Sequence, residues 1–505
     1  MTTVTLEERI ARIDRADERS LTAQLVELFL DAIASGELAP GARLPPTRGL
    51  ATLAGVNQLT AGRVYRRLQT LGAVVSEVGR GTFVRAAAAA THVERPGDAS
   101  WQSYVLEPER NDESDRIIGE IARHVEDPTM IALSAGYPAL DLIPVAALRE
   151  AAAEAIDRHG ARAFQYGPIE GDSELRTQLA ELGRRRGLDD DANSIVATTG
   201  AHQALTLAAR ATLRPGDKVA CESPTFMGII ESLRTVGAEI LPVPVDEHGL
   251  DIAALEQLLR HHEIRLLAIQ PRLHNPTGVD LSAARRERLV ELARQHGFFI
   301  LEDGVYADLR FEGDDPGPLR ALAPSHVIYV DSLSKTVGPG LRAGWIAASG
   351  PVLDRIIGEK RRDDAHGTTL TQQLTAGFLG KGLYPAQLAR ALSRYREGRD
   401  VLVAALESEL GPMAQFARPA GGGHVWVTLR QPLDDARLYR EALAGGVTFV
   451  PGAAMLVERP RATHLRLSYG LPDPASIGEG VRRLAQAIRL VGREAPAQRR
   501  SLPIT

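Results

Sequence analysis

The chain has 505 residues, 44% of them hydrophobic and 24% charged, with a formal net charge of −5. That length is ample for several cores, and the composition belongs to globular protein rather than to a disordered or fibrous chain. A single cysteine, Cys221, excludes an intrachain disulfide and a thiolate metal cluster; with no signal-like N-terminus and no run near about 18 apolar residues, the expectation is a cytoplasmic protein that crosses no membrane.

In chain order, residues 15–85 are expected to form a compact helical unit closed by a hairpin. Ser20 is a candidate N-cap, after which Leu21, Leu25, Leu28, Phe29, Ala32 and Ile33 line one helical face as far as Gly36. Thr47 can cap a short helix ending near Leu53, and a second helix spans about 58–71. Two β-prone runs, 73–77 and 82–85, follow across a Gly-Arg-Gly turn. Helix, short helix, turn, helix and hairpin is the order of a winged helix-turn-helix. Arginines fall where DNA phosphates would lie, so the candidate contacts are Arg43, Thr47, Arg48, Asn57, Thr60, Arg63, Arg80 and Gly81. A solvated charged face on a small helical domain is the alternative. Gly62, inside the second helix, costs about 1 kcal/mol relative to Ala unless close approach requires it.

Residues 86–115 read as a polar linker rich in Ala and Pro. From 116 to 495, apolar strand-like runs alternate with amphipathic helices, which argues for α/β architecture around a parallel sheet, and 496–505 read as a tail.

Chemistry gathers at strand ends in this second region. Lysine is scarce: only Lys218, Lys335, Lys360 and Lys381 occur. Where arginine serves most cationic roles, a retained lysine points to work that needs a deprotonatable amine. Lys335, in Ser-Leu-Ser-Lys-Thr with Gly-Pro-Gly-Leu-Arg following, suits a Schiff base beside a phosphate held by Ser332 and Arg342. Asp303 ends the apolar run 298–301 and can pair with a pyridinium nitrogen, although a helix N-cap would read the same way. Asn275, in His-Asn-Pro-Thr-Gly, and Tyr306 can hold a phenolic oxygen. Gly200, Ala201 and His202 open a helix whose free N–H groups can bind phosphate. Phe226 can stack on a ring, core packing being the commoner role of such a residue.

Two resemblances follow from these residues. The string from Arg43, with its Leu-Pro-x-x-Arg entry and its Gly-x-Gly-Thr-Phe wing, resembles the GntR-type DNA-binding domain. The ordered Gly-turn, aromatic, Asn-Pro-Thr-Gly, Asp-x-x-Tyr, Ser-x-Ser-Lys and Gly-x-Arg-x-Gly resemble fold-type I aminotransferases from about 130 to 490. The fusion of the two resembles the MocR/GabR family of transcriptional regulators. The second resemblance implies a pyridoxal 5'-phosphate cofactor on Lys335 and a smaller C-terminal α/β subdomain. It places Asp303 on the pyridine nitrogen, Asn275 and Tyr306 on the phenolic oxygen, Phe226 on the ring, and Gly200, Ala201, His202, Ser332 and Arg342 on the phosphate. His202 stands where relatives often carry Gln, so its expected contact is through the backbone. Tyr166 would reach the phosphate of a second subunit, implying a homodimer, and Arg466 would grip an effector carboxylate. The family reading is a regulator of double-stranded promoter DNA, in which an amine or amino acid displaces Lys335 as an external aldimine. A working aminotransferase with an attached DNA-binding module is the rival.

Overall fold

The computed structural model describes residues 6–11, 13, 20–34, 37–39, 41–70, 73–77, 81–84, 113–125, 127–458 and 462–494. Two compact units emerge, Met1–Glu109 and Arg110–Thr505.

In the first unit, helix Leu21–Ala34 starts where Ser20 Oγ accepts the Ala23 N–H at 3.2 Å. Leu25 and Phe29 on its buried face pack with Leu50, Val64 and Leu68 from helices Thr47–Leu53 and Gln58–Thr70. Strands Val74–Glu77 and Gly81–Val84 pair antiparallel, with Val74 opposite Val84. The observed order is that of a winged helix-turn-helix.

Local details differ from expectation. Thr47 is the first helical residue and not the cap; Pro46 holds the cap position without a side-chain hydrogen bond. Its locked φ supplies the helix entry instead. Helix Leu6–Ala11, ahead of the expected start at 15, seats Ile10 in the same core, while the Leu6 N–H donates to Glu37 at 2.9 Å. Gly36, Arg80, residues 86–112 and the tail lie outside the described residues.

Gly62 has room for a side chain, since an added Cβ would come no nearer than 4.0 Å to Thr47 Cγ2. Gly62→Ala is therefore expected to stabilise this unit by about 1 kcal/mol. A thermal melt measures the gain, and a lowered melting temperature would contradict the helix as described.

The second unit begins with helix Glu113–His124, three residues inside the stretch expected to be linker. Its main sheet has eight strands in the spatial order Ile195–Thr198, Gly344–Ala347, Val327–Ser332, Phe299–Asp303, Ile264–Ile269, Lys218–Ser223, Glu239–Asp246 and Gly249–Leu250. Gly344–Ala347 runs antiparallel to both neighbours and Gly249–Leu250 antiparallel to Glu239–Asp246; the remaining pairs are parallel. The inner strands are mostly apolar along their middles, Val219–Cys221, Leu266–Ile269, Phe299–Leu301 and Val327–Val330, as expected where helices cover both faces, and Glu222, Asp303 and Ser332 stand at or near their carboxyl ends. Ala204, Ile229 and Val352 pack on one face, and Leu255, Leu259 and Leu289 on the other.

A second, antiparallel sheet joins Ala414–Phe416, His424–Leu429, His464–Ser468 and Val450–Pro451 under helices Tyr384–Glu409 and Pro474–Glu494. This is the smaller C-terminal subdomain. Among the described residues, no helix is long and apolar enough to cross a membrane, and no group of His, Cys, Asp and Glu is placed to hold a metal.

Candidate functional site

The carboxyl ends of the parallel strands open on one side of the main sheet, where such folds place ligands. There Ala201, His202, Phe226, Asn275, Asp303, Tyr306, Ser332, Lys335 and Arg342 line a single cavity of about 190 Å³.

Lys335 closes the short 3-10 turn Leu333–Lys335 that follows strand Val327–Ser332, a turn set by Ser332 Oγ accepting the Ser334 N–H at 3.3 Å. Its Nζ donates to Gly136 O at 2.8 Å and lies 5.4 Å from the centre of the Tyr306 ring. Burial, helped by the Arg466 and Arg342 charges and opposed by Asp303, lowers the amine pKa to about 8. A usable fraction is thus neutral and nucleophilic near physiological pH.

Asp303 is buried at the end of strand Phe299–Asp303. One carboxylate oxygen accepts the Val305 N–H at 3.1 Å and the other accepts Gln270 Nε2 at 2.6 Å. Burial raises its pKa to about 6, so a cation placed beside it would be bound to offset the desolvated charge.

Gln270 was not anticipated from sequence. Its amide also accepts the Asn275 N–H at 3.2 Å, and its own N–H donates to Glu222 at 2.7 Å. One side chain therefore ties the carboxylate end of the cavity to the Asn275 end. The only local hint is its place just after the apolar strand Ile264–Ile269.

Helix Ala201–Thr212 begins at Gly200, whose φ of 96° suits glycine. A Cβ there would come within 2.6 Å of Arg342 Nη2, and one on Gly344 within 2.6 Å of the Gly200 carbonyl carbon. Arg342 Nη2 donates to Thr199 O at 2.7 Å and holds the turn. The first-turn N–H groups of such a helix lack intrahelical acceptors and suit an anion.

Arg466, on strand His464–Ser468, is buried; it donates to Ser134 O at 2.8 Å and to Asn275 Oδ1 at 3.4 Å, while its Nε has no hydrogen-bond partner. No carboxylate among the described residues pairs with it, and burial lowers its pKa to about 10. Tyr306 Oη lies 2.8 Å from His424 Nε2, a second residue that sequence reasoning missed. Tyr166 stands apart from the cavity, 83% exposed, with its ring edge-on to His366 at 5.2 Å.

In the first unit Arg43, Arg48, Asn57 and Arg63 are exposed, whereas Thr47, Thr60 and Gly81 are half-buried. Asn57 Oδ1 accepts the Thr60 N–H at 2.7 Å and so caps helix Gln58–Thr70. The Arg43 guanidinium rests on Gly81, where a Cβ would lie 2.9 Å from Nε.

Residues 128–484, well over half the chain, match the aminotransferase class I and II family. The chain belongs to this family. This aminotransferase-family chain is 32% identical to aromatic-amino-acid aminotransferase 1 of Thermococcus litoralis, across 74% of its own length and 91% of that protein. It superposes with a TM-score of 0.71 and 32% identity on the α-aminoadipate aminotransferase LysN of Thermus thermophilus, solved with N-(5'-phosphopyridoxyl)-L-leucine, over 78% of this chain and 99% of that one. Residues 21–84 match the gntR family of bacterial regulatory proteins. The HTH-type transcriptional regulator TauR of Rhodobacter capsulatus is 30% identical over 93% of this chain and 97% of its own. The joined matches give the MocR-type architecture, in which a GntR reader precedes an aminotransferase domain.

The cofactor of this domain is pyridoxal 5'-phosphate. The residues present fit it: a near-neutral amine, a buried acid in need of a cation, and a glycine-built anion turn with the Arg342 guanidinium against it.

Proposed function

We propose that this chain is a pyridoxal-phosphate-dependent transcriptional regulator whose aminotransferase domain senses an amine carrying a carboxylate or sulfonate and whose reader binds double-stranded promoter DNA. The observation that carries this reading is one chain holding both a cavity lined by Lys335, Asp303 and Asn275 and a winged helix-turn-helix with arginines exposed on its second helix. The near full-length likeness to TauR supports it.

When bound, the cofactor supplies an aldehyde that condenses with amines and a ring that draws electrons. Lys335, the lysine of the cavity, would be the residue that holds that aldehyde. Asp303 keeps the ring nitrogen protonated, Asn275 and Tyr306 hold the phenolic oxygen, and Phe226 covers the ring face. Gly200, Ala201, His202, Ser332 and Arg342 bind the phosphate. Arg466 orients the effector by its anionic group. Signalling requires only that the effector bind two arrangements of the protein with different affinity.

A homodimer completes this reading. Tyr166 is exposed in a stretch that also exposes Leu140 (83%), Val145 (57%) and Phe164 (69%), an apolar surface suited to a second copy whose phosphate Tyr166 would reach. The location is cytoplasmic, where a promoter is accessible.

A second reading, transamination between an amino acid and a 2-oxo acid, is favoured by one observation: Lys335 lies in the cavity with an amine able to carry a proton near neutrality.

Amino acids added to the purified protein separate the two readings. For a regulator, cofactor absorbance shifts, promoter affinity changes, and little 2-oxo acid accumulates; stoichiometric release of 2-oxo acid with unchanged promoter binding supports the enzyme. Arg63→Ala is expected to weaken promoter binding while leaving cofactor absorbance intact. Promoter affinity unaltered across salt concentrations would remove the helix from the DNA contact.

A further inference from the structure

We propose that His424 is a positioning residue that makes the Tyr306 hydroxyl a hydrogen-bond donor toward the cavity, an inference resting on the cofactor assignment above. Tyr306 Oη has one proton to give and two neighbours, His424 Nε2 at 2.8 Å and Gly136 O at 3.3 Å. Which way that proton points decides whether the hydroxyl offers the cavity a donor or only lone pairs. Lone pairs would repel the phenolic oxygen of the cofactor.

The answer lies on the far side of the imidazole. His424 Nδ1 meets Ser468 Oγ at 2.9 Å, and its ring stands edge-on to Tyr306, 77° between planes. Burial, with the Arg466 and Lys335 charges nearby, holds the ring well below the usual histidine pKa, so it is neutral. One nitrogen is then a donor and the other an acceptor.

Ser468 chooses between them. Its single hydroxyl proton can go to His424 Nδ1 at 2.9 Å or to Ser134 O at 3.5 Å, and Ser134 O already accepts from Arg466 at 2.8 Å. The shorter bond to the less occupied acceptor is the better one. Nδ1 therefore accepts, and the ring proton resides on Nε2, which donates to Tyr306 Oη.

Tyr306 then keeps its own proton for the cavity side. Gly136 O, its alternative acceptor, is already served by Lys335 at 2.8 Å. Gly136 supports the arrangement by having no side chain, because a Cβ there would lie 2.8 Å from His424 Cε1 and 3.3 Å from Tyr306 Oη.

Two measurements on the full-length protein test the proposal. In ¹⁵N-histidine-labelled protein, the His424 signals, assigned by their loss in His424→Gln, should report a neutral ring protonated at Nε2; a proton on Nδ1 overturns it. Second, His424→Phe should weaken retention of pyridoxal phosphate about 3- to 10-fold, the loss of one neutral hydrogen bond. His424→Gln, whose amide N–H can reach the Nε2 position, should recover most of it. In a Tyr306→Phe background, His424→Phe should add less than about twofold. An equal loss in both backgrounds overturns the proposal by showing that His424 acts without Tyr306. If the parent protein binds no pyridoxal phosphate, the cofactor assignment fails, and the nitrogen spectrum alone still decides the tautomer.

Discussion

Replacing Lys335 with alanine is expected to abolish the covalent hold on pyridoxal phosphate: borohydride treatment of the parent labels one lysine peptide, and the variant yields none. The expectation rests on elimination as well as on position. Lys218 pairs with His262 at 3.0 Å, Lys360 is buried against Asp364 at 2.7 Å, and Lys381 bonds Glu150 at 2.7 Å and also Glu154. Lys335 is the lysine that lines the cavity. Its depressed pKa adds a rate signature. Capture of pyridoxal phosphate by the parent apoprotein should rise with pH through about 8 and then level off, where an ordinary lysine would still be gaining neutral amine. Between about 8 and the ordinary lysine value of 10.5 the unfolded lysine holds a proton that the folded one has lost, so apoprotein stability rises with pH across that window. Lys335→Ala should flatten that rise. A labelled peptide in the variant, or capture still climbing above pH 9, would place the amine elsewhere.

Arg466→Met is expected to lower affinity for carboxylated amines about 100-fold, roughly the worth of a bidentate charge-assisted pair, while leaving the apoprotein's melting temperature nearly unchanged. The two halves of that result have one cause. Arg466 is a buried cation with two carbonyl-type acceptors, a free Nε and no carboxylate, so removing it relieves a desolvation cost about as large as the bonds it forfeits. Arg186 is the contrast. It is buried between Asp308 and Asp331, with Tyr384 3.1 Å from its Nη2. Arg186→Met would strand two buried carboxylates and should cost about 3–5 kcal/mol. Parallel thermal melts and amine titrations separate the pair. Destabilisation of Arg466→Met on the Arg186 scale would mark Arg466 as a strut, and undiminished selectivity for carboxylated over plain amines would take it out of the effector site.

Much of the site was legible because its signals are local. Lys335 stood out through the scarcity of lysine and the hydroxyls and glycines beside it. Asp303 and Asn275 stood at the ends of apolar runs, where a parallel sheet places ligands. The reader emerged from helical periodicity and a capping serine, although Thr47 proved to follow its cap and Asn57 to be one. Helix Leu6–Ala11 escaped notice because six residues carry too little periodicity to separate a helix from a tail.

The rest depends on partners that the chain brings together from afar. Gln270 reaches Asp303 across 33 positions, His424 reaches Tyr306 across 118, and Arg466 reaches Asn275 across 191. Sequence by itself determined which residue types stand at strand ends and helix starts, since φ preferences, caps and hydrophobic period act within a few residues. Only the tertiary structure decided which buried groups are paired, which amine is neutral and that Arg466 is buried without a carboxylate partner among the described residues. Those are properties of distance and dielectric, and they exist only once the sheets have stacked.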